Sequence, residues 1–312
     1  MPKVSVVVPT FERAARLPGL IAALEAQSLP CDDFDVIIVD DASRDGTAGV
    51  LEHLVATAGV KLRVLRNDRN RGPGVARNAG WRASDAPVVA FTDDDCTPAP
   101  QWLEAGLAAL NGAPIGIVQG KTIPDPTVAL GRWAVTQTIE SFTDRYETCN
   151  IFYRTDVLRV VGGFDENMPF FGEDTVLGWT ARRMGIGSVF EGRALVYHAV
   201  SHPGVDYFRR WAVQHGNWAI LVRRFPEMRR EVLWLRLFTK RRHAALIAAA
   251  GGIAGGVFWR PALALAIPYA MYLFPRRLQR DEVVDRLLGA VFDSAVVAGM
   301  LRGSAREHTL VL

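Results

Sequence analysis

The order of apolar and helix-period segments over the first two hundred residues predicts an α/β protein, with a mostly parallel, doubly wound sheet flanked by helices. Three observations support this reading. Apolar, β-branched runs at residues 4–8, 34–39, 61–65, 87–92 and 115–120 alternate with segments of helical spacing. Two of the runs end in carboxylates, Asp40-Asp41 and Asp93-Asp94-Asp95. In open α/β sheets the C-terminal strand ends border the ligand crevice, so acidic groups there face a ligand. A third acidic pair, Glu173-Asp174, opens a later helical segment after a Gly- and Phe-rich stretch that includes Phe170 and Phe171.

The elements follow in order. Residues 4–8 are continuously apolar and stop at Pro9, as a buried strand does. Leu17, Leu20, Ile21 and Leu24 share one face of a helix over 16–27. The strand at 34–39 precedes a turn at 43–47 whose last residues cap a helix through Leu54. After the strand at 61–65, a Gly-Pro-Gly turn opens a helix over 74–84. The strand at 87–92 and a helix at 101–110 lead to a fifth strand at 115–120. Periodicity is weak over 124–150, where loops and a helix around 130–142 are expected to shape part of an acceptor pocket. A helix at 174–184 and short strands at 188–190 and 194–197 end at His198. Domain boundaries are expected at 1–205 for the α/β domain, 206–243 for basic amphipathic helices, and 244–312 for an apolar helical hairpin plus an amphipathic C-terminal helix.

A chain of 312 residues, 49% hydrophobic, can bury a large core. Its net charge of +3 is too small to indicate nucleic acid, and no nucleic-acid partner is expected. The charge is unevenly placed. Between Arg209 and Arg242 ten cationic residues meet only Glu227 and Glu231, and Trp211, Trp218, Phe225, Trp234 and Phe238 are interleaved. That mixture suits an anionic membrane surface. Residues 244–259 and 262–274 are uncharged, but each run is shorter than the ~20 residues of a simple span. Together they read as a helical hairpin, one kinked span with Arg260 near its middle, or a buried soluble helix pair. The flanking Arg241-Arg242 and Arg276-Arg277 favour the hairpin, with both ends on the cytoplasmic side. The expected location is the cytoplasmic face of the cell membrane, peripheral or hairpin-anchored. Cys31, Cys96 and Cys149 are far apart and form no C-x-x-C, which points away from a disulfide framework or zinc site. The chain enters a strand directly from its N-terminus, so no signal peptide is expected.

Each acidic or basic set has a chemical reading and a bland one. Asp93 and Asp95, one residue apart, suit a hard cation shared with phosphates, yet an acidic turn looks the same. Asp40-Asp41 with Ser43 can accept from a base N–H or ribose hydroxyl, or simply cap the turn. The segment from Arg71 to Gly80 lacks the third glycine of a dinucleotide loop, since Arg77 stands there. Its Gly-rich helix start can still receive phosphate. Glu173-Asp174 reads as a general base or as helix-dipole charge, and His198 as a metal ligand or a structural histidine.

Together and in this order, these motifs resemble a family 2 glycosyltransferase of the inverting, GT-A type. The resemblance covers roughly residues 4–218. It rests on Val6-Val7-Val8-Pro9-Thr10, Val39-Asp40-Asp41-Ala42-Ser43, Arg71-Gly72-Pro73-Gly74-Val75-Ala76-Arg77-Asn78, Phe91-Thr92-Asp93-Asp94-Asp95, Gly162-Gly163-Phe164-Asp165-Glu166 and Gly172-Glu173-Asp174. It implies a nucleotide-diphosphate sugar donor, Mn²⁺ or Mg²⁺, and single-step displacement at the anomeric carbon. By position, Pro9, Thr10, Glu12, Asp40, Asp41, Arg71, Arg77, Asp93 and Asp94 would bind the donor. Asp93, Asp95 and His198 would hold the metal. Asp174, with Glu173 beside it, would deprotonate the acceptor. Processive members carry Q-x-x-R-W, whereas Gln214-His215-Gly216-Asn217-Trp218 has Asn in the Arg position. The expectation is therefore transfer of one sugar to a lipid-linked or membrane-proximal acceptor, in cell-envelope glycan or glycolipid synthesis. A nucleotidyltransferase and a catalytically inactive membrane-bound binding module are the alternatives. The first would show a basic Gly-rich loop where Pro9 to Arg13 stand, and the second would not need every acidic set intact.

Overall fold

The computed structural model describes residues 1–111, 114–131, 133–168, 171–275 and 282–312. Phe170, Arg276 and Arg277 lie outside the described residues. The chain divides into two compact units, Met1–His202 and Pro203–Leu312.

The first unit contains β1 (Val4–Thr10), α1 (Leu17–Glu25), β2 (Phe34–Asp40), α2 (Thr47–Thr57), β3 (Lys61–Arg66), α3 (Pro73–Arg82), β4 (Val88–Thr92), β5 (Cys96–Pro98), α4 (Trp102–Leu110), β6 (Ile115–Pro124), β7 (Asn150–Arg154), α5 (Thr155–Val161), α6 (Glu173–Arg183) and β8 (Gly187–His198). The strands form one sheet in the order β3-β2-β1-β4-β7-β6-β8-β5. Strands β3, β2, β1 and β4 are parallel, so the ends of β1, β2 and β4 open on one edge. Every residue of β1 and β2 is buried, which explains their unbroken apolar reading. Leu17, Leu20, Ile21 and Leu24 of α1 fill the core on one face. Helix α3 lies so close to the sheet that a Cβ on Gly80 would overlap the Val7 side chain.

The sheet is mixed rather than mostly parallel. Strand β7 runs antiparallel to both β4 and β6, and β5 antiparallel to β8. Parallel neighbours need a crossover, usually helical, and the segment between β6 and β7 has no helix among its described residues. The helix expected around 130–142 is replaced by extended bridges, Thr122 to Ile139 and Val135 to Ser201. The two short strands expected at 188–190 and 194–197 are one strand, β8, whose pairing with β6 shifts register at Gly120/Lys121.

The second unit is helical: α7 (Val205–Gln214), α8 (Trp218–Arg224), α9 (Met228–Glu231), α10 (Arg241–Gly255), α11 (Ile267–Leu273) and α12 (Glu282–Glu307). Several aromatics of the basic stretch serve its interior. Trp211 stacks on Phe292 of α12 at 5.2 Å, and Trp218 and Phe225 are buried. The membrane-spanning form of the hairpin does not occur. Helix α10 has 15 residues, a rise of about 22 Å against the ~30 Å hydrocarbon core of a bilayer. Pro261 and Pro268 then break the chain into a 3₁₀ segment, Arg260–Ala266, and the seven-residue α11. Among the described residues no helix is long and apolar enough to cross a membrane.

Candidate functional site

The parallel half of the sheet brings Asp41, Asp93, Asp94 and Asp95 to one crevice. Thr10, at the end of β1, donates from Oγ1 to Asp94 Oδ2 at 2.7 Å, and Arg13 Nε stands 3.7 Å from Asp94 Oδ1. Burial pushes the Asp94 carboxyl up to about 7, with Asp95 and Asp93 adding to the rise and Thr10 and Arg13 opposing it. Pro9, Thr10, Asp41, Arg77, Asp93 and Asp95 all border one cavity of about 330 Å³.

Asp40 and Asp41 end β2 in different roles. Asp40 is buried, accepts from the Ser43 N–H at 2.9 Å and lies 3.5 Å from Arg66 Nε, so it fixes the turn after β2. Asp41 accepts from the backbone N–H groups of Arg71 (3.0 Å) and Gly72 (2.7 Å) and from Asn67 Nδ2 (2.6 Å). It thereby anchors the loop that opens α3, where Gly72 adopts φ +94°, a conformation that favours glycine. Asp41→Ala leaves three donors without their acceptor. It is expected to cost about 2 kcal/mol of stability and to weaken nucleotide binding. Unchanged melting temperature and nucleotide Kd would remove Asp41 from both roles. Beside this anchor is a larger cavity of about 600 Å³, bordered by Glu12, Ala42, Arg44 and Arg66 among others. Glu12 and Ala42 hold φ of +54° and +66° at its rim. Such strain in non-glycine residues concentrates at ligand sites.

Arg77 connects Asp93, after β4, to Glu173 on α6. Its buried guanidinium donates from Nη2 to Asp93 Oδ1 at 2.7 Å and from Nη1 to Glu173 Oε1 at 3.1 Å. Asp174 sits in the first turn of α6 and accepts from the Thr175 N–H at 2.7 Å. Burial first, then the charges of Glu173 and Glu147, push its carboxyl well above the usual carboxylate range, against the pull of Arg77. Glu147 comes from the segment before β7 and is held by Gln119 Nε2 at 2.9 Å and by Thr143.

The pairing of β5 with β8 sets Cys96 opposite His198 and brings Asp95 Oδ1 within 3.5 Å of His198 Nε2. His198 Nδ1 is 2.9 Å from the Ala199 carbonyl. A proton on Nδ1 satisfies that carbonyl and leaves the Nε2 lone pair facing Asp95, the tautomer a metal ligand needs. Cys96 is close enough to join them, and burial drives its thiol well up. The carboxylate of Asp95 and the imidazole of His198, with the Cys96 sulfur beside them, fit a divalent cation completed by ligand oxygens. Asp93, also expected at the metal, is engaged with Arg77 through Oδ1.

Thus the structure gathers Pro9, Thr10, Asp41, Arg77 and the Asp93-Asp94-Asp95 set around one cavity, with Glu12 at its larger neighbour. Arg71 and Glu173 border a third cavity of about 240 Å³, and the Arg71 guanidinium reaches Glu166 at 3.1 Å. Arg13, Asn67 and Glu147 were not singled out in the sequence. Each is drawn in by pairing between distant segments and carries no local motif.

Residues 5–164 match the model for glycosyl transferase family 2. The chain belongs to that family. Glycosyltransferase AglE of Haloferax volcanii is 32% identical over 195 residues, covering 60% of this chain and 63% of that protein. The pre-mycofactocin glycosyltransferase of Mycobacterium tuberculosis is 29% identical over 238 residues, covering 72% of this chain and 48% of that protein. The chain therefore spans less than two thirds of either relative. Among solved structures, mannosyltransferase PcManGT from Pyrobaculum calidifontis, in complex with GDP-Man and Mn²⁺, superimposes with a TM-score of 0.70 at 20% identity. The match covers 97% of this chain and 87% of that one. Residues 1–349 of Staphylococcus aureus TarS with UDP-GlcNAc give a TM-score of 0.54 at 18% identity, covering 98% and 92%. These likenesses establish a GT-A-like α/β fold for this family 2 glycosyltransferase. Glu173, Asp174 and His198 lie beyond the matched family segment.

Proposed function

We propose that this family 2 glycosyltransferase moves one sugar from a nucleoside-diphosphate donor to a hydroxyl of a lipid-linked or membrane-proximal acceptor, with inversion and with the help of a divalent metal. The observation that supports this best is the Arg77 bridge. It joins Asp93, on the donor side, to Glu173, whose neighbour Asp174 has a carboxyl raised toward a useful basicity. Asp174 accepts the proton of the acceptor hydroxyl as its oxygen bonds to the anomeric carbon. The bond from that carbon to the diphosphate oxygen breaks on the opposite side, and the nucleoside diphosphate leaves with the bonding pair. Asp95 and His198 would hold Mn²⁺ or Mg²⁺, which supplies positive charge opposite the departing diphosphate. The cavity beside Asp41 would take the nucleoside. PcManGT and TarS, solved with GDP-Man and UDP-GlcNAc, support a nucleotide-sugar donor. The membrane-proximal acceptor, at the cytoplasmic face, is supported by the basic character of the Pro203–Leu312 unit.

The direct test is thermal shift of the full chain with UDP, GDP, dTDP and CDP, each with and without Mn²⁺. Stabilisation by one nucleotide that depends on the metal is expected, because a ligand that binds only the folded state raises its stability. His198→Ala should keep the fold and lose the metal dependence. No shift with any nucleotide would count against the donor site, and an equal shift with and without Mn²⁺ against the metal site.

A further inference from the structure

Residues 253–274 leave an unusual amount of large apolar surface in water. Val257 is 82% exposed, Phe258 92% and Trp259 67%, at the turn where α10 gives way to the 3₁₀ segment. Leu263, Ile267 and Met271 follow Trp259 at four-residue intervals, and all are exposed. Helix α12 adds Val284, Leu287, Leu288 and Val291, exposed at the i, i+3, i+4, i+7 spacing of a single helix face. Arg286 ties α12 to α11, since its guanidinium lies over the Tyr272 ring at 5.8 Å. The same unit buries Trp218, Phe225, Met228 and Met300, so it has a core of its own and these side chains are surplus to it. Exposed large apolar side chains in this number mark a surface that something covers.

Charge identifies the occupant. Residues 203–312 hold 17 Lys and Arg against 8 Asp and Glu, a net charge of +9, while residues 1–202 carry −6. Arg260 stands exposed beside Trp259 at the turn itself. A second copy of this strongly basic unit would repel the first, whereas anionic lipid headgroups attract it. No helix among the described residues is long and apolar enough to span, so apolar side chains could enter only the boundary between headgroups and acyl chains.

We infer that the Pro203–Leu312 unit carries a shallow lipid-docking edge, centred on Val257, Phe258 and Trp259, that seats on an anionic bilayer surface without crossing it. This deepens the membrane-proximal reading above and rests on it. The edge inserts aromatic and aliphatic side chains, and Arg260 beside it pairs with headgroup phosphates.

The test is flotation of the full chain with vesicles of phosphatidylcholine alone or of phosphatidylcholine with phosphatidylglycerol. The parent protein is expected to float with the anionic vesicles, to float poorly with the neutral ones, and to lose binding as salt is raised. The double variant Phe258→Ser, Trp259→Ser should bind anionic vesicles about tenfold or more weakly, with unchanged melting temperature and unchanged metal-dependent nucleotide shift. A parent that does not float, or a variant that floats as the parent does, overturns the proposal. So does a parent dimer that the double variant converts to monomer with no vesicle binding. A nucleotide shift without vesicle binding defeats the edge and leaves the catalytic reading standing. Vesicle binding without a nucleotide shift does the reverse.

Discussion

Asp174→Asn is expected to bind nucleotide and metal as the parent does, yet to lose transfer by about 10²–10⁴-fold, the usual contribution of a positioned general base. The amide keeps the shape and can still accept from the Thr175 N–H, but it takes up no proton. Stability should not suffer. The carboxyl is raised in the fold, chiefly by burial, so its ionised form is disfavoured relative to the unfolded chain. The parent therefore loses stability as pH rises from the ordinary carboxylate range through the raised value, and the neutral amide does not. At neutral pH the variant should melt no lower than the parent. The same shift fixes the direction of the activity profile. Transfer by the parent should fall on the acid side at a pH above the ordinary carboxylate range, and residual turnover by the variant should lack that limb. Near-parental turnover in the variant would end the assignment of Asp174 as the base.

Arg77→Met is expected to be the most disruptive single change in the crevice. It removes the cation shared by Asp93 and Glu173 and leaves Glu173, whose side chain is 12% exposed, without its partner. Breaking a buried ion pair from one side costs about 3 kcal/mol or more. For a unit of this size that lowers Tm by roughly 6–12 °C. Arg77→Lys keeps the charge without the planar fork that reaches two carboxylates at once, so it should recover only part of the loss. In a Glu173→Gln background the Arg77→Met penalty should shrink, because one of the stranded charges is gone. A Tm within a degree of the parent for Arg77→Met, or an undiminished penalty in the double variant, would contradict the bridge.

The contrast between Arg77 and Asp41 shows what was legible in the sequence. Strands β1, β2 and β4 and helix α3 could be read because their signals are local: unbroken β-branched runs and a Gly-Pro-Gly turn. Asp41 could be read as a site residue because it ends such a strand. The bridge made by Arg77 could not, because its two partners lie on β4's exit and α6's first turn and meet only in the folded unit. A Gly-rich helix start pointed toward phosphate, while the fold supplied carboxylates. Strand β7 and Glu147 were missed for a related reason. Five residues, Asn150–Arg154, gain strand character from two antiparallel neighbours rather than from any alternation of their own. In the second unit the apolar composition was plain, but Pro261 and Pro268 set lengths too short to span.

The pairing of Cys96 with His198 also has a bearing on how the protein matures. Strands β1, β2 and β3 pair only with strands of the first hundred or so residues, and such local closures are fast. The Asp95–His198 pair instead waits for a loop of roughly a hundred residues to close, which is slow. On a ribosome, the strands that form the crevice can emerge and begin to pack while His198 is still unsynthesised. The proposed cation site is thus incomplete until the last strand of the sheet is in place. A chain cut short before β8 would keep much of the crevice wall but hold Asp95 without His198.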